Sequence, residues 1–418
     1  MKKFSLIVGL SAIVALSACD AEETIVSEEG APESEPGTEA DAEAGDDEVE
    51  PEEVVTAEGT EVVTIGYSGP LSGAAAFYGN NTVSGLTMAV NEINEAGGFE
   101  VDGQQYSFNL VALDDKYLPN ETGANARRLI QEHDVPIVFI PHSGGIFATQ
   151  VFNEQDDFIV GAYSSEPDIT AQDNALTWRI PNTYDIYVEP YSEYQMERFG
   201  PKLAMLPPST QYGYDWADEL APAWEELGGE VVYDGSIDFA KETDFFTTIT
   251  NALSDDPDVL FVGGSSEPTA QVMQQARELG FEGGFFIMDQ AKLDEIERVL
   301  GDNAADVIEG SVGVPPLVVD QTEGNQQFIE DYIEHYDSIP GSEAGYHYYV
   351  VYILAEAMKA AGSVDDAAAI QANLGEGVNT VPADKEIYPI TEVTAEGGMN
   401  TEFRMAVVED GEIILVEP

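Results

Sequence analysis

The sequence predicts an α/β protein built from two doubly wound parallel-sheet lobes. Short strands that are apolar at nearly every position alternate with amphipathic helices, and the alternation runs through once, pauses after Tyr191 and restarts. The 418 residues, 43% of them hydrophobic, are enough for two or three domains at roughly 100–200 residues each. A strand that is apolar on both faces needs cover on both sides, and a parallel sheet flanked by helices supplies it.

The elements follow in order. Val62 to Tyr67 is a strand that breaks at Ser68-Gly69-Pro70. Val83, Leu86, Val90 and Ile93 recur at steps of three and four, one face of a helix that Gly97-Gly98 stops. Tyr106 to Leu113 is the next strand, and Asn120 to Glu132 is a helix with Ala126, Leu129 and Ile130 on its buried side. Strands follow at Val135–Ile140 and Phe158–Tyr163. The second series places strands at Leu203–Leu206, Glu230–Tyr233, Val259–Val262 and Phe285–Met288, with helices at Thr269–Leu279 and Leu293–Leu300. Tyr346, Tyr348, Tyr349 and Tyr352 lie on a helix running to Met358 and read as core.

The N-terminus indicates export. Met1-Lys2-Lys3 precedes an apolar run from Phe4 to Leu16, too short for the about 20 residues of a spanning helix, and residues 1–18 read as a signal peptide. The small residues Ser17-Ala18 before Cys19 resemble the bacterial lipoprotein cleavage box, which implies that Cys19 becomes the lipidated first residue. From Asp20 to Glu61 there are 18 acidic residues and no Lys or Arg, so residues 19–61 are expected to be an extended, disordered tether.

Charge excludes several function classes. The chain carries 80 acidic against 15 basic side chains, a formal net charge of -65, which repels nucleic acid and anionic lipid. Removing the first 61 residues leaves 62 acidic and 13 basic residues, so the folded body is acidic too. Such a surface suits concentrated salt, where screening removes self-repulsion. Cys19 is the only cysteine, which rules out an intramolecular disulfide or a thiolate metal cluster. No Gly-x-Ser-x-Gly elbow, Walker loop or His-Glu-x-x-His occurs. Neither catalysis nor a cofactor or metal is expected. His142 reads as a polar loop residue.

Open parallel sheets bind ligands beyond the carboxyl ends of their strands, and those loops share one composition. They hold Ser68 to Gly73 with Phe77 and Tyr78, His142-Ser143-Gly144-Gly145, and Ser164-Ser165-Glu166 in the first series. In the second they hold Ser209, Gln211 and Tyr212, then Ser265 and Ser266, then Asp289 and Gln290. Hydroxyls, glycines and aromatics without a nucleophile–base pair make a binding inventory. Ser143 stands at a helix start, where free N–H groups attract an anion and Gly144 lets a ligand approach the backbone.

Ser68-Gly69-Pro70-Leu71-Ser72-Gly73, Tyr78-Gly79, Ala89 to Asn94 and Gly97-Gly98 resemble the opening of the leucine/isoleucine/valine-binding protein family. Asp114-Asp115, Ser143-Gly144, Glu166-Pro167, Gln211-Tyr212-Gly213 and Gln275 to Gly280 match it in order over nearly all of 62–418. The resemblance implies the type I periplasmic-binding fold, two Rossmann-like lobes joined by three hinge crossovers. The first lobe would be 62–182 with 314–384 and the second 183–313 with 385–418. The crossovers would lie near Pro181-Asn182, Gly313-Val314 and Ala383-Asp384.

It also implies a function: the lipid-anchored, extracytoplasmic receptor of an ABC importer. Such a receptor would capture an amino acid, of branched-chain type or related, and deliver it to a permease with its ATPase subunits. A monomer is expected, on the outer face of the cell membrane or in a periplasm. Ser143 would hold the ligand carboxylate, with Ser165 as the second hydroxyl and Tyr163 and Ser164 as backbone contributors. Tyr78 and Tyr212 align with aromatic pocket residues. Asp289 or Gln290 would meet the ligand ammonium, and only the carboxylate gives a charge-assisted bond. Ser265 stands where the family often has an aromatic residue. These last two departures leave open a sensing receptor of the same fold for amides, urea or small organic acids.

Overall fold

The computed structural model describes residues 55–319 and 322–416. The expectations for the export segment 1–18, for Cys19 and for the tether up to residue 54 lie outside the described residues; the expected end of the tether at 61 is one residue late, because Glu61 already pairs with Tyr106 in the first strand.

The first sheet comprises β1 (Glu61–Gly69), β2 (Phe99–Val101), β3 (Gln104–Asp114), β4 (Ile137–Ile140), β5 (Ile159–Ala162) and β6 (Thr177–Arg179), in the order β2-β3-β1-β4-β5-β6. The second begins with β7 (Lys202–Leu206), β8 (Glu230–Asp234), β9 (Val259–Val262), β10 (Gly284–Ile287) and β11 (Ser311–Gly313). After a small hairpin of β12 (Ile390–Val393) and β13 (Met399–Thr401), it is completed by β14 (Met405–Glu409) and β15 (Glu412–Val416). Its order is β15-β14-β11-β10-β9-β7-β8.

The all-apolar strands divide their side chains by parity between two cores. In β4, Ile137 and Phe139 face one core while Val138 and Ile140 face the other. In β9, Leu260 and Val262 oppose Val259 and Phe261 in the same way. This is the period of two on a pleated strand covered on both faces. Helix Ser342–Ala361 packs over the first sheet, with Tyr348 and Tyr349 in its core as expected. Tyr346 is different: it reaches the cleft.

Both sheets are mixed, not purely parallel. β2 joins β3 antiparallel, and β14 joins β11 and β15 antiparallel. Two Asp-Gly turns make these hairpins, Asp102-Gly103 and Asp410-Gly411, all four residues at positive φ, as a two-residue hairpin turn of matching twist requires.

The third crossing also differs from expectation. Residues 385–418 were placed wholly with the second lobe, yet Ile387, Tyr388 and Met399 are buried in the first-sheet core. The β12–β13 hairpin is tied there by Arg179 N–H to the Gly397 carbonyl at 2.9 Å. The Arg179 guanidinium donates to Asn400 Oδ1 at 2.9 Å and to the Pro181 carbonyl. The chain therefore crosses to the second sheet between β13 and β14, at 402–404, and not at Ala383-Asp384. A buried arginine that satisfies several carbonyls at once outweighs the local signal of a small residue at 383.

Candidate functional site

In each sheet the strand order reverses beside the first strand of its series: β3 and β4 flank β1, and β8 and β9 flank β7. Loops leaving the carboxyl ends diverge at such a point and open a crevice. A cavity of about 90 Å³ lies there. At about 10–15 Å³ per water-sized sphere it has room for roughly six to nine such spheres. No cation-binding group of three or more His, Cys, Asp or Glu occurs among the described residues.

The first-sheet wall starts behind β4. His142 caps helix Ser143–Gln150, its Nδ1 accepting from Gly145 N–H at 3.0 Å. The proton therefore sits on Nε2, which donates to Asp115 Oδ2 at 2.9 Å. Asp115 is fully buried and also accepts from Thr122 Oγ1 at 2.7 Å and from Tyr117 N–H at 2.9 Å. Burial raises its pKa, but His142 and these hydrogen bonds prevail and hold the carboxyl below its ordinary range. Its neighbour Asp114 accepts from Leu71 N–H at 2.8 Å. Both carboxylates are anchors of loops.

Ser143 and Ser164 bond through their hydroxyls at 2.8 Å. One of the two hydrogens is spent there and one remains for a ligand oxygen. Ser165 Oγ lies 2.7 Å from the Tyr212 hydroxyl. Tyr78 donates to the Pro141 carbonyl at 2.9 Å and stacks near Tyr163, ring centroids 6.3 Å apart. Tyr346 and Tyr388 stack at 3.9 Å.

The opposite wall comes from the second sheet. Tyr212, in the first turn of helix Gln211–Glu226, donates to Asp289 Oδ1 and accepts from Trp216 Nε1 at 3.1 Å. Trp216 Nε1 is also 3.2 Å from Asp289 Oδ1. Neutral donors thus fix one carboxylate oxygen and leave the other for the cleft. Burial, then Asp289, pushes the Tyr212 phenol far above its usual pKa, so it stays a donor. Gln290 Nε2 reaches across to the Tyr117 hydroxyl at 3.1 Å, and burial raises that phenol to about 12.

The cavity is lined by eight of the expected residues: Tyr78, Ser143, Tyr163, Ser164, Ser165, Tyr212, Asp289 and Gln290. Gly144 and Ser265 are not among its walls. A side chain at Gly144 would meet Pro119 Cγ at 2.8 Å, and Pro119 does not line the cavity. Ser265 stands at the N-cap position of helix Ser266–Glu278 without a side-chain cap bond, after Gly264 at φ +102°, where a side chain would press on Phe239 and Pro208. The reading of the sequence missed Tyr117, Tyr187, Lys292, Tyr346 and Tyr388, and the crossing residues Asn182, Thr401, Glu402 and Arg404. Lys292 alone carried a visible signal, a cation two residues beyond the candidate pair in a chain poor in cations.

A family model described as periplasmic binding protein matches residues 62–412. The chain belongs to that family. Its members bind solutes outside the cytoplasm, and no helix among the described residues is long and apolar enough to cross a membrane. An amino acid binding protein of Pseudomonas aeruginosa is 27% identical over 331 residues, 78% of this chain and 85% of that protein. A leucine-, isoleucine-, valine-, threonine- and alanine-binding protein of the same species is 25% identical, over 76% of this chain and 84% of that protein. The crystal structure of a leucine binding protein from Thermotoga maritima superposes with a TM-score of 0.71 at 20% identity, covering 85% of this chain and 98% of that one. These likenesses place the chain in the type I periplasmic-binding fold.

Proposed function

We propose that the chain is the solute receptor of an ABC importer, anchored through lipid on Cys19, which captures an amino acid or a close relative and passes it unaltered to a permease. The observation that carries this reading is the pairing of the two walls. A zwitterion needs donors at one end and an acceptor at the other, and the cleft sets the Ser143–Ser164 hydroxyl pair opposite Asp289. The carboxylate would take the remaining serine hydrogen and the ammonium the free oxygen of Asp289, each a charge-assisted bond. The names of the Pseudomonas relatives support an amino acid as the solute. Capture by closure requires only that the ligand bind the closed form better than the open one.

A thermal-shift screen of amino acids, amides and small organic acids tests it. A ligand at 100 times its dissociation constant adds about 2.7 kcal/mol of stability. An amino acid should raise the melting temperature and be recovered chemically unchanged. A screen in which nothing shifts, or in which the solute is converted, rejects the proposal. For the anchor, Cys19→Ser should move the protein from the membrane fraction to the soluble one.

A further inference from the structure

Lys292 is a buried cation of the cleft that holds no carboxylate directly. It is only 6% exposed and lines the cavity. Its ammonium donates to two backbone carbonyls, those of Asp289 and of Gln290, the latter at 3.2 Å. No carboxylate among the described residues lies within ion-pair distance of it. The contrast with other lysines is sharp. Lys202, Lys241, Lys359 and Lys385 each hold a carboxylate oxygen at 2.6–3.1 Å, and all four are more exposed than Lys292. Set against those four, and in a chain with 80 acidic residues, the buried lysine holds carbonyls and no carboxylate, although a buried charge is the one that most needs an opposite charge.

Asp294 and Glu295 feel the charge of Lys292 without holding it, and the surroundings of Glu295 oppose its own charge. Glu295 accepts from Ser266 Oγ at 2.6 Å, and the same Ser266 oxygen accepts from Lys292 N–H at 3.0 Å. Glu295 is nearly fully buried, as is Glu343 from the first-sheet side, and a side chain at Gly341 would strike both carboxyl groups. Burial and then the neighbouring Glu343 carboxyl push Glu295 well above its ordinary range, so it resists carrying the charge that would answer Lys292. Arg298 and Asp294 also flank Glu295. Lys292 has two of its three hydrogens on carbonyls, and the third is left for the cleft.

We propose that Lys292 receives a second anionic group of the ligand, so that the protein selects dicarboxylic amino acids of four or five carbons over neutral ones. This deepens the amino-acid reading above and rests on it. The head group occupies Ser143, Ser164 and Asp289, and the side-chain carboxylate reaches Lys292. The rest of the cavity agrees, because its walls carry the phenols of Tyr78, Tyr163, Tyr346 and Tyr388, which suit a polar side chain better than a branched aliphatic one. Room for roughly six to nine water-sized spheres also matches a solute of that size.

Isothermal titration calorimetry of the full chain with L-aspartate, L-glutamate, L-asparagine, L-glutamine and L-leucine decides the matter, in the wild type and in Lys292→Met. The wild type should bind one of the acids at least about tenfold tighter than its amide, the scale of one charge-assisted bond. Lys292→Met should collapse that ratio to within about twofold, because the acid loses more affinity than its amide, and Lys292→Arg should retain part of it. An amide or leucine that binds as tightly as the acids overturns this inference and leaves the amino-acid reading standing. A preference that survives in Lys292→Met overturns it too. Binding of none of the five overturns this inference, and the wider thermal-shift screen then decides the amino-acid reading separately. The wild-type ratio decides even if a variant fails to fold.

Discussion

The Tyr212 hydroxyl of the second sheet lies 2.7 Å from Ser165 Oγ of the first. Because Tyr212 gives its hydrogen to Asp289, Ser165 must be the donor in this bond. Its remaining lone pairs can then only accept, so within this arrangement Ser165 has no hydrogen to offer a ligand carboxylate, and the one hydrogen left on the Ser143–Ser164 pair is the donor on this wall.

Tyr212→Phe removes the bond to Ser165 and a donor to Asp289 together. Hydrogen bonds to charged groups contribute about 1.5–3 kcal/mol, so ligand affinity should fall by roughly 10- to 100-fold in calorimetry. Ser165→Ala, which loses the contact between lobes alone, should cost less than Tyr212→Phe.

Ser143→Ala deletes one hydroxyl of the pair that faces the ligand. Ser164 keeps a hydrogen for the carboxylate, so the loss should be partial, about five- to tenfold in dissociation constant and below the about 1.5–3 kcal/mol of a whole bond to a charged group. The melting temperature of the unliganded protein should stay within a few degrees, and unchanged affinity would refute the assigned role.

Glu166 and Glu295 give the unliganded fold a definite pH dependence. Burial pushes the Glu166 carboxyl up to about 8, with Asp215 from the second sheet adding to the rise. Burial and then Glu343 push Glu295 well above its usual range. A folded state that holds protons the unfolded chain has released loses stability as pH rises. For Glu166 the loss should run from about pH 4.3, the ordinary glutamate value, to about 8. Thermal melts across that window should show Glu166→Gln with a shallower decline than the wild type.

Gly397 is at φ +88, and a side chain there would collide with the Thr177 carbonyl. Gly397→Val should lift the β12–β13 hairpin from the first sheet and cost about 2 kcal/mol or more, combining backbone strain with a steric clash. Urea unfolding would read the loss directly.

The formal charge of -65 makes salt a stabiliser. Raising KCl from 0.1 to 2 M shortens the Debye length from about 10 Å to below 3 Å, and the melting temperature should rise. A flat response would remove the saline reading of the surface.

The two sheets were legible because burial on both faces forces strands such as Ile137–Ile140 and Val259–Val262 to be apolar at every position. The hairpins at Asp102-Gly103 and Asp410-Gly411 carried a turn signal that the βαβ pattern overshadowed. Docking of the β12–β13 hairpin had no local signal, since it depends on Arg179 meeting Asn400, 221 residues away. The same distance separates legible from hidden site residues. Ser143, Ser164, Tyr212 and Asp289 follow strands directly, whereas Thr401, Glu402 and Arg404 reach the cleft only because the chain returns late. His142 was visible, but its role depends on Asp115, 27 residues earlier.

The late return has a practical corollary. The β12–β13 hairpin is packed on the first-sheet core, while β15, a short way downstream, is the edge strand of the second sheet. A fluorophore on each, close in the chain yet mounted on separate bodies, would convert any clasping motion into a change in energy transfer without touching the mouth where the solute enters.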